Sequence, residues 1–99
     1  MKYILLSADS PLKVYSVPDT AAKNLNKHCA EFEKWLHTAP EAKKYRTAYG
    51  VSYTETDFID YLNTHVFPDE PSFFIEDLGW ITTKKQIPEG YRKCPMFNF

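Results

Sequence analysis

Between Thr47 and Thr83 the chain carries seven carboxylates, Glu55, Asp57, Asp60, Asp69, Glu70, Glu76 and Asp77, and neither Lys nor Arg. Gathered on one surface, such a set would steer a basic partner or imitate the charge of a nucleic-acid backbone at a protein that binds one. The flanking segments have the opposite sign. Residues 1–46 hold eight Lys/Arg against five Asp/Glu, and residues 84–99 hold four against one, so each flank is net +3 and the overall charge of −1 conceals the segregation. The plain alternative is a set of solvated surface acids neutralised by lysines of a neighbouring helix, because separation along a chain is not separation in space.

The same side chains were weighed for other chemistry. Asp57 and Asp60 share a helix face, and carboxylate oxygens suit hard cations, but the calcium-loop and two-histidine-one-carboxylate spacings are both missing. Two Cys and three His, at 28, 29, 37, 65 and 94, show no paired zinc spacing. His28 and Cys29 adjoin in sequence, yet neighbouring helical residues point about 100° apart and do not face each other. Cys29 also sits within an apolar stripe, where a thiol behaves as a small hydrophobe. His65 reads as a structural histidine near a helix C-terminus, where the dipole favours it. The sequence therefore offers no catalytic residue, no metal ligand and no cofactor motif. With three glycines in all it also lacks a Gly-rich phosphate loop.

Lys23, Lys27, Lys34, Lys43, Lys44 and Arg46, interleaved with Tyr45 and Tyr49, form a set that stacks on bases and contacts phosphates in other proteins. A pI of about 6.3 and an equal supply of acids argue against a nucleic-acid partner.

The elements that must position these groups follow from periodicity. "KYILLSA" and "LKVYSVP" flank a Ser-Pro turn and make a hairpin. From Asp19 to His37, Ala22, Leu25, Cys29, Phe32 and Leu36 recur at spacings of three and four, the stripe of one long helix. "PEAKKYRTA" reads as a short second helix. At "TETD" a hydroxyl precedes a carboxylate by three residues, which starts a third helix at Thr54 with Phe58, Tyr61, Leu62, Ile59 and Val66 inward. "SFFIEDL" reads as a buried strand, "WITT" as a further short one, and "IPEGYRKCPMFNF" has a turn at Pro88 and no period.

These elements predict a single α+β domain: a small antiparallel sheet of three to four strands with two to three helices packed on one face. The aromatic fraction of 16% supplies a core despite the small size. Met96, Phe97 and Phe99 are expected to seal that core rather than to dock on a partner. Cys29 and Cys94 are expected to be free thiols. Only four apolar residues precede Ser7, too few for a signal-peptide core or a membrane span, so the expected location is cytoplasmic.

Taken together, "KVYSVPD" before a long helix, "DFIDYLN" then "FPDEPS", "IEDLGW" and the closing "CPMFNF" resemble a group of small proteins of gut-type bacteria and their mobile elements. The group has no assigned activity, cofactor or catalytic residue, so the resemblance implies only a bacterial, intracellular setting associated with phages or plasmids.

The leading functional expectation is a non-enzymatic protein-binding module, an adaptor or inhibitor that meets a basic partner surface through Glu55, Asp57, Asp60, Asp69, Glu70, Glu76, Asp77 and Trp80. Tyr53 and Phe67 would support that face, since aromatics among charges are what interface hot spots use. The alternative is a small enzyme or ligand-binding protein with a pocket between sheet and helices, in which His65 and Asp60 converge.

Overall fold

A computed structural model describes residues Met1–Phe99. The chain starts with the expected hairpin, β1 (Lys2–Ser7) and β2 (Leu12–Val17). Their connection needs one left-handed residue, and Asp9 takes it at φ 53°, a conformation that Asp tolerates better than bulkier side chains. The register pairs Ile4 with Tyr15, Leu5 with Val14 and Leu6 with Lys13. Alternation then sends Ile4, Leu6, Tyr15 and Val17 to one face and Leu5, Leu12 and Val14 to the other. Both sets are buried, in two separate apolar clusters.

The first cluster is closed by helices. The long apolar stripe is realised, but in two pieces, α1 (Asp19–Lys23) and α2 (Leu25–Thr38). Asn24 breaks the ladder with φ −113° and ψ 36° while its side-chain amide donates to the Thr20 carbonyl at 3.2 Å. Such local bonding is how Asn competes with helix continuation. Across the break Ala22, Leu25, Cys29, Phe32 and Leu36 are all buried. Phe32 stands at the centre, with the rings of Trp35, Tyr53, Phe58, Tyr61 and Phe99 all within 6.1 Å of its own.

Pro40 follows α2, and Pro40–Tyr45 is a 3₁₀ turn rather than a second α-helix. Arg46 then donates to the Leu36 carbonyl at 3.1 Å, which satisfies an orphan acceptor at the end of α2. A minimal hairpin, β3 (Arg46–Thr47) and β4 (Gly50–Val51), leads on to α3 (Glu55–Tyr61). As "TETD" predicts, the Asp57 carboxylate reaches back to accept the Thr54 N–H at 2.8 Å. The helix then widens into a π turn over Leu62–Val66, with the Phe67 N–H bonded to the Leu62 carbonyl at 2.7 Å.

The π turn positions the next strand. Asn63 grips the backbone of Ser72 twice, accepting its N–H at 2.6 Å and donating to its carbonyl at 3.0 Å. This holds the start of β5 (Phe73–Gly79), which pairs with β2 in antiparallel register and is irregular at two points. From Trp80 the chain crosses the back of the sheet. Residues 80–95 contain two 3₁₀ turns, Lys84–Gln86 and Glu89–Tyr91, and "WITT" forms no strand. Ile87 from this segment completes the second cluster against Leu5, Leu12 and Val14.

The last strand, β6 (Met96–Asn98), pairs in parallel with β1. The sheet order is β5-β2-β1-β6, so the α+β class holds and the three helices cover one face, while one parallel pair makes the sheet mixed rather than antiparallel. The closing aromatics seal the core as expected. Phe97 and Phe99 pack against the first cluster, and the Phe99 N–H donates to the Ser7 carbonyl at 2.9 Å. Met96, facing the other way, is 39% exposed and takes no part in this seal.

This packing predicts the cost of opening the seal. Phe99→Ala should lower unfolding free energy by about 2 kcal/mol, the value of one largely buried ring, and Phe32→Ala by about 3–5 kcal/mol with its cavity. Urea denaturation followed by tryptophan fluorescence measures both. Wild-type stability for Phe99→Ala would contradict a tail that belongs to the core.

Candidate functional site

The acidic segment does not fold as one surface. Glu55 is only 1% exposed. It lies in the first turn of α3, forms an ion pair with Lys13 of β2, and has the Ser10 hydroxyl 3.4 Å away. Its place in the proposed contact set must therefore be corrected: a carboxylate enclosed between helix and sheet cannot meet a partner. The bond from Glu55 also raises the Lys13 pKa above its ordinary value, against the opposing effect of burial. Asp57 is spent on the helix cap.

The other five carboxylates surround β5. Asp60 is exposed on α3, beside a groove of about 370 Å³ between α3 and β5 that Lys13, Tyr15, Asn63, Ser72, Phe73 and Phe74 also line. Asp69 and Glu70 are exposed in the loop that enters the strand. Asp77 stands opposite Lys13, on the helix side, and accepts the Gly79 N–H at 2.7 Å. Glu76 pairs with Val14, which turns it to the back face, where the Tyr91 hydroxyl donates to it at 2.6 Å. That bond pushes the Tyr91 pKa up to about 12. Trp80, just past the strand, is 70% exposed.

No lysine of the first helices forms an ion pair with these acids. The structure contains two ion pairs, Lys13 with Glu55 and the Met1 amine with Asp19. Asp57, Asp60, Asp69, Glu70, Glu76 and Asp77 thus have no ammonium or guanidinium within contact distance. Nor do these residues converge into a group of three or more metal-binding side chains.

Two supporting aromatics also need correcting. Tyr53 packs on Phe32 and Phe99 at 5.4 and 5.7 Å, and Phe67 packs on His28 at 5.5 Å, so both belong to the core margin. In their place stand Phe73 and Phe74, each 53% exposed. They were expected inside a buried strand, but β5 is the outer strand of the sheet. The signal was present in "IED": adjacent strand residues face opposite ways, so Glu76 and Asp77 put a charge on each face, which a strand buried on both sides cannot accept.

His65 does not join Asp60. It is exposed at the end of the π turn, with its ring 5.2 Å from Trp35 and 5.8 Å from Tyr61, away from the groove, so the expected His65–Asp60 pocket does not form. Both cysteines are free. Cys29 is fully buried, and burial pushes its thiol up to about 12.

No family model matches the chain, and no curated protein or solved structure is significantly similar to it. No helix is long and apolar enough to cross a membrane.

The site is therefore an open strand edge about 20 Å long, with two phenylalanines at its start, a tryptophan beyond its end and unpaired carboxylates around it. The enclosed Lys13–Glu55 pair holds α3 to the sheet beside it. Glu55→Gln should cost about 2 kcal/mol at neutral pH, the value of a charged hydrogen bond. Because the folded-state pKa of Lys13 is raised, its contribution is complete below the ordinary lysine value of 10.5 and is lost as pH rises through the folded value. Unfolding free energy measured from pH 8 to 12 should fall less steeply in Glu55→Gln than in the wild type; parallel curves would contradict the pair.

Proposed function

We propose that this chain is a non-enzymatic protein-binding module that accepts an extended, basic segment of a partner protein along the free edge of β5. The observation that carries this reading is the edge itself. Seven residues in strand conformation form the sheet's outer boundary, and an outer strand has a row of backbone groups that another strand can pair with. Natural edges are blunted against such pairing, and β5 has some of these devices: two register irregularities and a charge on each face. It also exposes two adjacent phenylalanines, which a purely protected edge would not need.

The charges select the occupant. Asp60, Asp69, Glu70 and Asp77 form no ion pair, so a second copy of the same edge would bring carboxylates together, whereas lysines or arginines on an incoming strand would be attracted to them. Phe73, Phe74 and Trp80 supply the apolar contact area that anchors such a complex. A nucleic-acid-handling protein has the required basic surface, and occupying it would inhibit that protein. This is the concrete form the reading takes in a bacterial mobile element.

Peptides selected from a random library for binding to the wild-type protein test the proposal. They should be rich in Lys and Arg. Asp60→Lys, Asp69→Lys and Asp77→Lys combined should slow their association by about tenfold or more at low salt, and the difference should shrink as ionic strength rises. Phe73→Ala with Phe74→Ala should instead speed dissociation. Association unchanged by the three reversals would refute the acidic edge as the contact.

A further inference from the structure

The charge segregation has a second consequence, independent of β5. At the end of the sheet where β1 begins and α1 starts, a cavity of about 580 Å³ opens between the first residues of the chain, α1 and residues 93–95. It is built only from the two basic flanks of the sequence. Lys2, Lys23 and Lys93 stand around it, and none of them forms an ion pair. The single carboxylate in its lining, Asp19, is already held by the Met1 amine at 3.0 Å. An adjoining groove of about 430 Å³ shares Lys23 and adds Lys27.

The rest of the lining is of a different kind. Tyr3, Ala22 and Pro95 provide apolar wall, with the Tyr3 ring fixed edge-on against Tyr91 at 5.8 Å. Ser16, only 3% exposed, belongs to the same lining. Its volume lies within the range of small-ligand sites, which combine apolar walls with a few polar groups that fix orientation. Three lysines and apolar wall in one lining, with no free carboxylate, define the ligand's chemistry. We infer that this cavity binds a small amphiphilic anion, a carboxylate or phosphate monoester on a short alkyl or aryl body, with the head at Lys2, Lys23 and Lys93 and the body against Tyr3, Ala22 and Pro95. A neutral apolar molecule would leave the three ammoniums without a counter-charge, and a cation would add to their positive charge.

Cys94 lines the cavity and is only partly buried, whereas Cys29 is inaccessible, so one thiol reports on occupancy. The full-length protein is titrated with decanoate, decyl phosphate and decyltrimethylammonium, all below micelle-forming concentrations, by calorimetry and by the rate of Cys94 alkylation. Saturable one-to-one binding of one or both anions is expected, the two head groups being distinguished by their separate titrations. The cation of the same tail length should bind at least about tenfold more weakly. Lys23→Ala and Lys93→Ala should each weaken anion binding by about two- to fivefold, as expected for partly solvated charge contacts, and Lys93→Arg should retain it. Bound anion should slow alkylation in the wild type and have little effect in the double alanine variant. These lysines are on the surface, so circular dichroism should show all variants folded. Equal binding of the cation, binding insensitive to the lysines, or no binding of either anion would overturn the assignment.

Discussion

The middle of β1, Ile4–Leu6, is covered on both faces, and the rest of the architecture follows from that. Strands lie on both of its edges, β2 and β6, and its consecutive residues Ile4, Leu5 and Leu6 are all buried. Three apolar residues in a row cannot be satisfied by a sheet with one wet face. The helices answer Ile4 and Leu6. The irregular segment after Trp80 answers Leu5, through Ile87. Because this segment must cross from β5 at one edge to β6 at the other, it forms the second layer in transit, and its end becomes the parallel neighbour of β1. The terminal phenylalanines then return to the helix side and close against Phe32.

Filling the centre in this way decides what remains open. β6 is only three residues long; Phe97, and Phe99 just beyond the strand, turn into the core, while Met96 and Asn98 remain exposed, so that edge is short. β5 is longer, lies over no helix along much of its length, and keeps its unpaired boundary. One acid of the acidic segment, Glu55, was drawn inside because Lys13 faces the helices rather than water. A buried pair of this kind contributes little net stability but makes removal of one partner costly. Its effect is to fix α3 beside β5, and with α3 come Asp60 and the Asn63 clamp on Ser72. The Ser72 hydroxyl has no partner there, while its backbone is fully engaged.

Much of this was legible in the sequence, for identifiable reasons. The stripe from Ala22 to Leu36, the cap at Thr54 and the hairpin before Pro18 are local patterns, and each formed where its chemistry placed it. What could not be read depends on contacts between distant residues. The 3₁₀ turn after Pro40 and the break at Asn24 are set by packing and side-chain bonding rather than by periodicity. "SFFIEDL" reads as buried because apolar runs of that length usually are; its edge position follows only from the strand order. β6 has no pattern of its own, being three residues recruited by a neighbour. For the site, the acids' segregation in sequence was plain, but Glu55 was separated from the others by Lys13, forty-two residues away, a pairing that no spacing announces. The basic cavity is invisible for the same reason, since its lysines come from both ends of the chain.

Amide hydrogen exchange on the free protein, resolved by residue, tests the central claim most directly: that Ile4–Leu6 of β1 are enclosed while β5 has an open edge. Amides of Ile4–Leu6 and their partners in β2 should exchange only through global unfolding, and the outward-facing amides of β5 should exchange orders of magnitude faster than its amides bonded to β2. Uniformly slow exchange along β5, at a concentration where the protein is monomeric, would mean that the edge is already covered, and would contradict the account.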